Sequence, residues 1–186
     1  FIGYNAGGGT WADVASIQNV VIGNNSADAS FSGANYNVGM GTNVYGALTQ
    51  GDANSAFGHG SLTALTTGGS NVAVGNAAGS TMTGTSNTVL IGSGAGNAIN
   101  STDANGTVAI GYEASYNLTS GANQVSIGYQ AGKALTTAAN STFIGYQAGL
   151  VHTGGNNIAI GDRAFYDTDA GASSLASTKN VAIGNR

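Results

Sequence analysis

One short pattern recurs along the whole chain: an apolar triplet, rich in β-branched residues, that is followed by glycine. These marker glycines are Gly3, Gly23, Gly41, Gly58, Gly75, Gly92, Gly111, Gly128, Gly145, Gly161 and Gly184. Seventeen residues is the commonest interval between successive markers, and the longest intervals lie near the two ends. Self-similarity at a fixed period is the sequence signature of a repeat protein.

The period restricts the architecture. A unit of 17 residues is too short to contain a strand and a crossover helix, so a βαβ arrangement is excluded. The remaining solution is a coil that stacks on the next coil through parallel strand pairing. The sequence therefore predicts an all-β, parallel β-solenoid of about ten coils with two short strands per coil. Residues 1–186 form a single domain, with longer loop insertions near 4–19 and 162–180.

Alignment on the marker glycine produces columns of similar residues. The residue just before the marker is always large and apolar, and the residue two positions earlier is mostly β-branched. Because side chains alternate along a strand, we expect these two columns to share the core face. The central residue should then face outward, and apolar central residues such as Leu90 and Phe143 suggest a second buried face against another subunit. Small central residues such as Ala73 leave open the alternative of an ordinary surface.

Three further columns are visible. The third residue after the marker is small, as in Ala78 and Ala95, which suits a tight interior corner. The seventh is apolar and is usually followed by threonine, as in Leu65 and Thr66, which predicts a second strand with leucine inside and threonine outside. Asparagine recurs four or five residues before the marker, where it can adopt a left-handed turn and form a ladder with equivalent residues in neighbouring coils.

Composition excludes several classes of protein. The chain is 41% hydrophobic with a formal charge of −4, so it does not have the low hydrophobicity and high charge of disordered chains. Its four basic residues are too few for a nucleic-acid interface. No apolar run is long enough for a membrane helix and no signal peptide is recognisable, so membrane insertion is not expected. Cysteine is absent, which excludes a disulfide framework.

Several strings carry a family resemblance. Residues 71–75 read Asn-Val-Ala-Val-Gly, and 108–111 and 181–184 both read Val-Ala-Ile-Gly. These strings resemble head-domain repeats of trimeric autotransporter adhesins. The string Ile-Gly-Tyr-Gln-Ala-Gly at 127–132 and 144–149 is similar to repeats of phage tail-fibre and environmental surface proteins. The resemblance implies a left-handed β-roll, commonly trimeric, that is exposed on a surface and binds a host or matrix component.

Candidate sites are few. Tyr112, Tyr129 and Tyr146 each follow a marker glycine, so they should form a ladder that either packs against another subunit or stacks on glycan rings. Asp162, Asp167 and Asp169 could contribute to a calcium site, but a full calcium loop has more oxygen ligands in a defined order, so a solvated loop is the preferred interpretation. The repeat glycines Gly58, Gly75, Gly92, Gly111, Gly128, Gly145 and Gly161 are structural.

Enzymatic alternatives fit poorly. Hexapeptide acyltransferases need an aliphatic-Gly unit about three times per coil, and here it occurs once, so this class is only a remote alternative. The acidic residues are mostly isolated, whereas a glycosidase needs two carboxylates close together. The threonine column leaves ice binding as an alternative, beside carbohydrate binding.

The sequence thus predicts a non-catalytic structural or adhesive module of an extracellular fibre, without cofactors. The fibre would be a surface adhesin, a phage tail fibre or a self-assembling filament, located at a cell or virion surface. Its expected partners are further copies of itself, as a homotrimer or a head-to-tail filament, and a host-surface glycan or matrix component. Neither nucleic acid nor a membrane is expected as a partner.

Overall fold

The computed structural model describes residues 1–9, 15–166 and 176–185. It is an all-β parallel β-solenoid, as predicted. Within these described residues, ten three-residue strands form one sheet in sequence order. They are β1 Val20–Ile22, β2 Val38–Met40, β3 Ser55–Phe57, β4 Val72–Val74, β5 Val89–Ile91, β6 Val108–Ile110, β7 Val125–Ile127, β8 Thr142–Ile144, β9 Ile158–Ile160 and β10 Val181–Ile183.

The stack makes about eight turns, slightly fewer than the ten coils predicted. Every strand pairs in parallel with the next, and residues of the same column face each other: Val108 pairs with Val125, and Val125 pairs with Thr142. The column alignment made from the sequence is therefore the register of the sheet. The predicted second strand is absent from the described residues. Its segment instead joins the coils by isolated backbone bonds, such as Thr66 N to Thr83 O at 2.8 Å.

The prediction of which strand residues face the core is wrong. The central residue of each strand from β1 to β9 is buried, and the two flanking residues are at least partly exposed. Leu90 and Phe143, which were expected to face outward, are fully buried. A three-residue strand turns one side chain to one face and two to the other. The interior of so thin a coil accepts only the single central side chain, which is often Ala, so the larger β-branched residues face out.

Opposite the strands, the predicted leucine column is buried as expected. It consists of Leu48, Leu65, Met82, Ile99, Leu118 and Leu135. The corner alanines Ala78, Ala95, Ala114, Ala131 and Ala148 are also buried. These columns and the central strand residues form one continuous core along the stack.

The large core side chain lies at different positions in different coils. In the coil of Gly58 the central strand residue is the small Ala56, and Leu62 is buried four residues after the marker. In the coil of Gly92 the central residue is the large Leu90, and the equivalent later position is Gly96. A Cβ added at Gly96 would lie 2.8 Å from a Leu90 methyl group. Each of these two coils therefore has one large side chain at these positions. It is the fourth residue after the marker in the coil of Gly58 and the central strand residue in the coil of Gly92.

Asparagine performs two separate functions before the strands. Asn37, Asn54 and Asn71 are buried four residues before the marker, and they form a hydrogen-bonded ladder. Asn54 Nδ2 donates to Asn37 Oδ1 at 3.0 Å, and Asn71 Nδ2 donates to Asn54 Oδ1 at 2.9 Å. One position earlier, Asn87 and Asn123 adopt φ of 60° and 57°. Both predicted roles of asparagine, the ladder and the left-handed turn, are confirmed.

Two details explain how the coil varies in length and why the marker is glycine. The 19-residue repeat between Gly92 and Gly111 accommodates its two extra residues in a 3-10 turn, Thr102–Ala104, capped by Ser101. Gly128 has φ of +136°, and a Cβ added there would collide with the carbonyl oxygen of Gly145 in the next coil. Close stacking of coils thus requires glycine at this column.

Candidate functional site

The outward face of the sheet is an apolar strip. We call it the outer strip: the first and third residues of β1 to β10. Most are valine or isoleucine, with Met40, Phe57, Ser55 and Thr142 as the exceptions. None is buried, and several are more than a third exposed, including Met40 at 49% and Ile160 at 36%. The sequence predicted an apolar outward face but assigned it to the wrong residues of the triplet.

The tyrosine ladder, Tyr112, Tyr129 and Tyr146, borders the outer strip. The predicted ladder is present: the rings stack with centroids 5.2 Å and 5.3 Å apart and interplanar angles of 17° and 13°. Each ring is a little under half exposed. Arg163 lies over Tyr146 at 5.5 Å and covers that end of the ladder by a cation–π contact.

A row of polar side chains lies beside the ladder. Glu113 Oε2 accepts hydrogen bonds from Lys133 Nζ at 2.6 Å and Gln130 Nε2 at 2.9 Å. The Lys133 bond, followed by the Gln130 bond, lowers the pKa of the Glu113 carboxyl, and Glu113 in turn raises the pKa of Lys133. A hydrogen bond to Glu113 also raises the pKa of the Tyr112 phenol. The carboxylate is thus fixed next to the first rung of the ladder.

A cleft of about 200 Å³ opens beside Tyr112, at the end of the ladder opposite Arg163. We call it the ladder cleft, and its lining includes Asn76, Ser93, Asn97, Tyr112, Glu113 and Tyr116. Ser93 occupies the ladder column one coil earlier, so Tyr112 has no ring above it in that column. Gly94 leaves room for Tyr116, because a Cβ there would lie 3.1 Å from that ring.

The remaining candidates are the acidic residues and the threonine column. Asp162 is exposed, its backbone N–H donates to Asn185, and Asp167 and Asp169 lie outside the described residues. Among the described residues no group of three potential ligands could hold a metal ion. The hydroxyls of Thr49, Thr66 and Thr119 donate to backbone carbonyls of the next coil. These hydroxyls already form hydrogen bonds between coils, so they are less available to bind ice.

His152 was not predicted to be a core residue. It occupies the leucine column, seven residues after Gly145, and is fully buried. Its ring stacks on Phe165 at 4.2 Å, and its Nε2 lies 2.9 Å from both the Ser177 carbonyl and Asn157 Nδ2. Nδ1 has no hydrogen-bond partner among the described residues, and burial lowers the pKa of the ring. Counting seven residues from each marker would have revealed this polar residue in an apolar column.

Comparison with known proteins adds no assignment: no family model, curated protein or solved structure matches this chain. Over the described residues, the structure has no helix long and apolar enough to cross a membrane.

Proposed function

We propose that the chain is a non-catalytic structural and adhesive module of an extracellular fibre, which assembles as a homotrimer through the outer strip. The observation that carries the proposal is this continuous apolar face on the outside of the sheet. The resemblance of its repeats to adhesin heads and tail fibres supports a left-handed roll, three copies per assembly and a place at a cell or virion surface.

The size of the outer strip is that of a functional surface. Ten strands spaced about 4.8 Å apart, each of three residues at about 3.3 Å, give a face on the order of 450 Å². The largest apolar patch of a typical monomer is of this size, roughly 300–600 Å², and is often functional. In a trimer each chain would cover this face with two neighbours.

A second copy of the chain suits this face better than an unrelated partner. The outer strip repeats with the spacing of the coils, so another copy presents the same apolar columns at the same spacing. The strip carries no charged residue in any of its ten strands. An interface between copies is therefore dry and apolar, as obligate homo-oligomeric interfaces are.

Light scattering coupled to size exclusion tests the assembly. We expect a mass three times the 18.1 kDa of one chain. The double variant Ile110→Lys, Ile127→Lys places charges in the outer strip and should yield monomers, because unpaired charges are costly to bury. Thr137→Lys adds a single lysine at an exposed loop position and should remain trimeric.

Other outcomes would contradict the proposal. A wild-type monomer would exclude assembly through the outer strip. A dimer would retain the interface but contradict three copies per assembly. Masses that grow with concentration, with filaments in electron micrographs, would show head-to-tail stacking of coils instead.

A further inference from the structure

The ladder cleft is a step in the surface of the stack. The coil of Gly92 carries small residues at the first, second and fifth positions after its marker, namely Ser93, Gly94 and Asn97. The coil of Gly111 carries larger ones at the same positions, namely Tyr112, Glu113 and Tyr116. The change from small to large side chains between adjacent coils creates the cleft. It lies on the turn after the strands, beside the outer strip and not on it.

The wall of the ladder cleft is a stacking platform. Tyr112 is supported from one side by Tyr129, at 5.2 Å, and is 46% exposed. The face of an aromatic ring is negative and attracts the partly positive C–H groups of a saccharide ring. Since the ladder fixes the ring, little conformational entropy is lost when a ligand stacks on it.

The rim of the ladder cleft consists of polar groups that are already held in place. Asn97 Nδ2 donates to Ser80 Oγ at 2.8 Å, and the Asn76 amide contacts His59 at 3.2 Å. The Glu113 carboxylate is held by Lys133. Amides and a carboxylate can both bind hydroxyls, and the carboxylate is already neutralised by its lysine.

We propose that the ladder cleft binds one neutral hexopyranose unit of a glycan, stacked on Tyr112 and hydrogen-bonded through its hydroxyls to Asn76, Asn97 and Glu113. The cavity of about 200 Å³ is smaller than the roughly 300–1,000 Å³ of sites for drug-sized ligands, and it suits one ring. This inference rests on the proposed adhesive function and names its class of ligand.

Saturation-transfer NMR on the full chain tests the site, with methyl β-D-galactopyranoside and methyl β-D-glucopyranoside as probes. One ring on one platform should bind with a Kd of about 1 mM. We expect saturation on the ring C–H protons of at least one probe. Tyr112→Ala removes the platform and should weaken binding at least tenfold. Tyr4→Ala removes an exposed tyrosine of the same column outside the ladder cleft and should leave binding unchanged.

Ser93→Tyr is the sharper variant. Three successive coils already carry tyrosine in this column, so the fold should tolerate a fourth. The introduced ring would stack on Tyr112, fill the ladder cleft and abolish binding. Circular dichroism and the light-scattering mass should match those of the wild type, which shows that the loss of binding is local.

Three results would overturn the inference: no saturation of either probe, equal saturation in the wild type and Ser93→Tyr, or stronger binding of an anionic probe, methyl α-N-acetylneuraminide. Failure of the proposed function is distinguishable. A trimer that binds neither neutral probe refutes the sugar site alone. A monomer that binds them refutes the trimer alone.

Discussion

At the scale of single residues, one Cβ atom determines whether two coils can approach. Gly128 lies against the carbonyl of Gly145 at φ of +136°, so Gly128→Ala introduces both a collision and an unfavourable backbone conformation. We expect a loss of at least about 2 kcal/mol in the free energy of unfolding. Thermal denaturation should then show a melting temperature lower by roughly 4–8 °C.

Gly84→Ala is the matched control for that prediction. Its added Cβ would meet only threonine side-chain atoms at 3.4 Å, and Gly84 does not have a left-handed φ. Its melting temperature should stay within about 2 °C of the wild type. Equal effects of the two substitutions would contradict the role of the marker column.

His152 gives the fold a pH dependence. Burial lowers the pKa of its ring below the ordinary 6.5, so the unfolded chain binds a proton more readily than the folded one. The stability is therefore fully present above about pH 6.5 and is lost as the pH falls toward the folded pKa. The loss amounts to at most about 1.4 kcal/mol per pH unit. The described contacts of the ring, with Phe143, Phe165, Asn157 and Ser177, include no titratable group.

His152→Leu copies the leucine of the neighbouring coils and tests this dependence. Melting temperatures measured from pH 7.5 to 5 should fall for the wild type and stay nearly flat for the variant. His59→Leu, at an exposed position, should retain the wild-type slope. An unchanged slope in His152→Leu would assign the pH dependence to other groups.

The register of the sheet and the buried face of each strand were not equally predictable from the sequence, for a physical reason. The register followed directly from counting, because each column pairs with itself, as Val108 does with Val125. The face of each strand could not be deduced in the same way. With three residues per strand, the core can receive either the central side chain or the two flanking ones. Hydrophobicity favours the two flanking residues, because most of them are valine or isoleucine. The narrow interior accepts only the central residue, even where that residue is the small Ala109.

At the scale of one coil, the two alternative positions of a large core side chain make a compensated substitution possible. Leu90→Ala alone should lose about 2–5 kcal/mol, because it leaves a cavity in the core. Gly96→Leu alone places a side chain against Leu90 and should also destabilise. The double variant reproduces the arrangement of Ala56 and Leu62 in the coil of Gly58. We therefore expect it to recover much of the loss.

Chemical denaturation of the four chains measures this coupling. The double-mutant cycle should give a favourable coupling free energy of at least about 1 kcal/mol. As a control, Leu90→Ala can be paired with Gly84→Ala, which lies outside this contact and should add independently. Simple additivity of Leu90→Ala and Gly96→Leu would show that the two positions do not share one volume.

The parts of the candidate site were predictable to different degrees. The tyrosine ladder could be predicted, since Tyr112, Tyr129 and Tyr146 share one column. The ladder cleft could not, because it depends on Gly94 admitting the ring of Tyr116 and on the contrast between two adjacent coils. Averaging columns over all repeats removes that contrast. A site built on the difference between neighbours is visible only once the coils are stacked.

At the scale of the whole molecule, a solenoid should tolerate the loss of one complete coil. Deleting residues 112–128 joins Gly111 directly to Tyr129, so every later residue keeps its column and Val108 can pair with Thr142. The buried Ser115–Ser126 hydrogen bond is removed with both of its partners, so neither is left unpaired. Lys133 loses Glu113, but the pair is partly exposed to solvent, and ion pairs at the surface contribute little.

We expect this shortened chain to fold, with circular dichroism like the wild type and a melting temperature lower by only a few degrees, because repeat stability is a sum over neighbouring coils. Deleting residues 112–119 instead joins Gly111 to Ser120 and leaves too few residues between β6 and β7 to complete a turn. That chain should lose the cooperative transition. If both deletions unfold the protein, the coils are not interchangeable units, and if neither does, the 17-residue period does not define the coil.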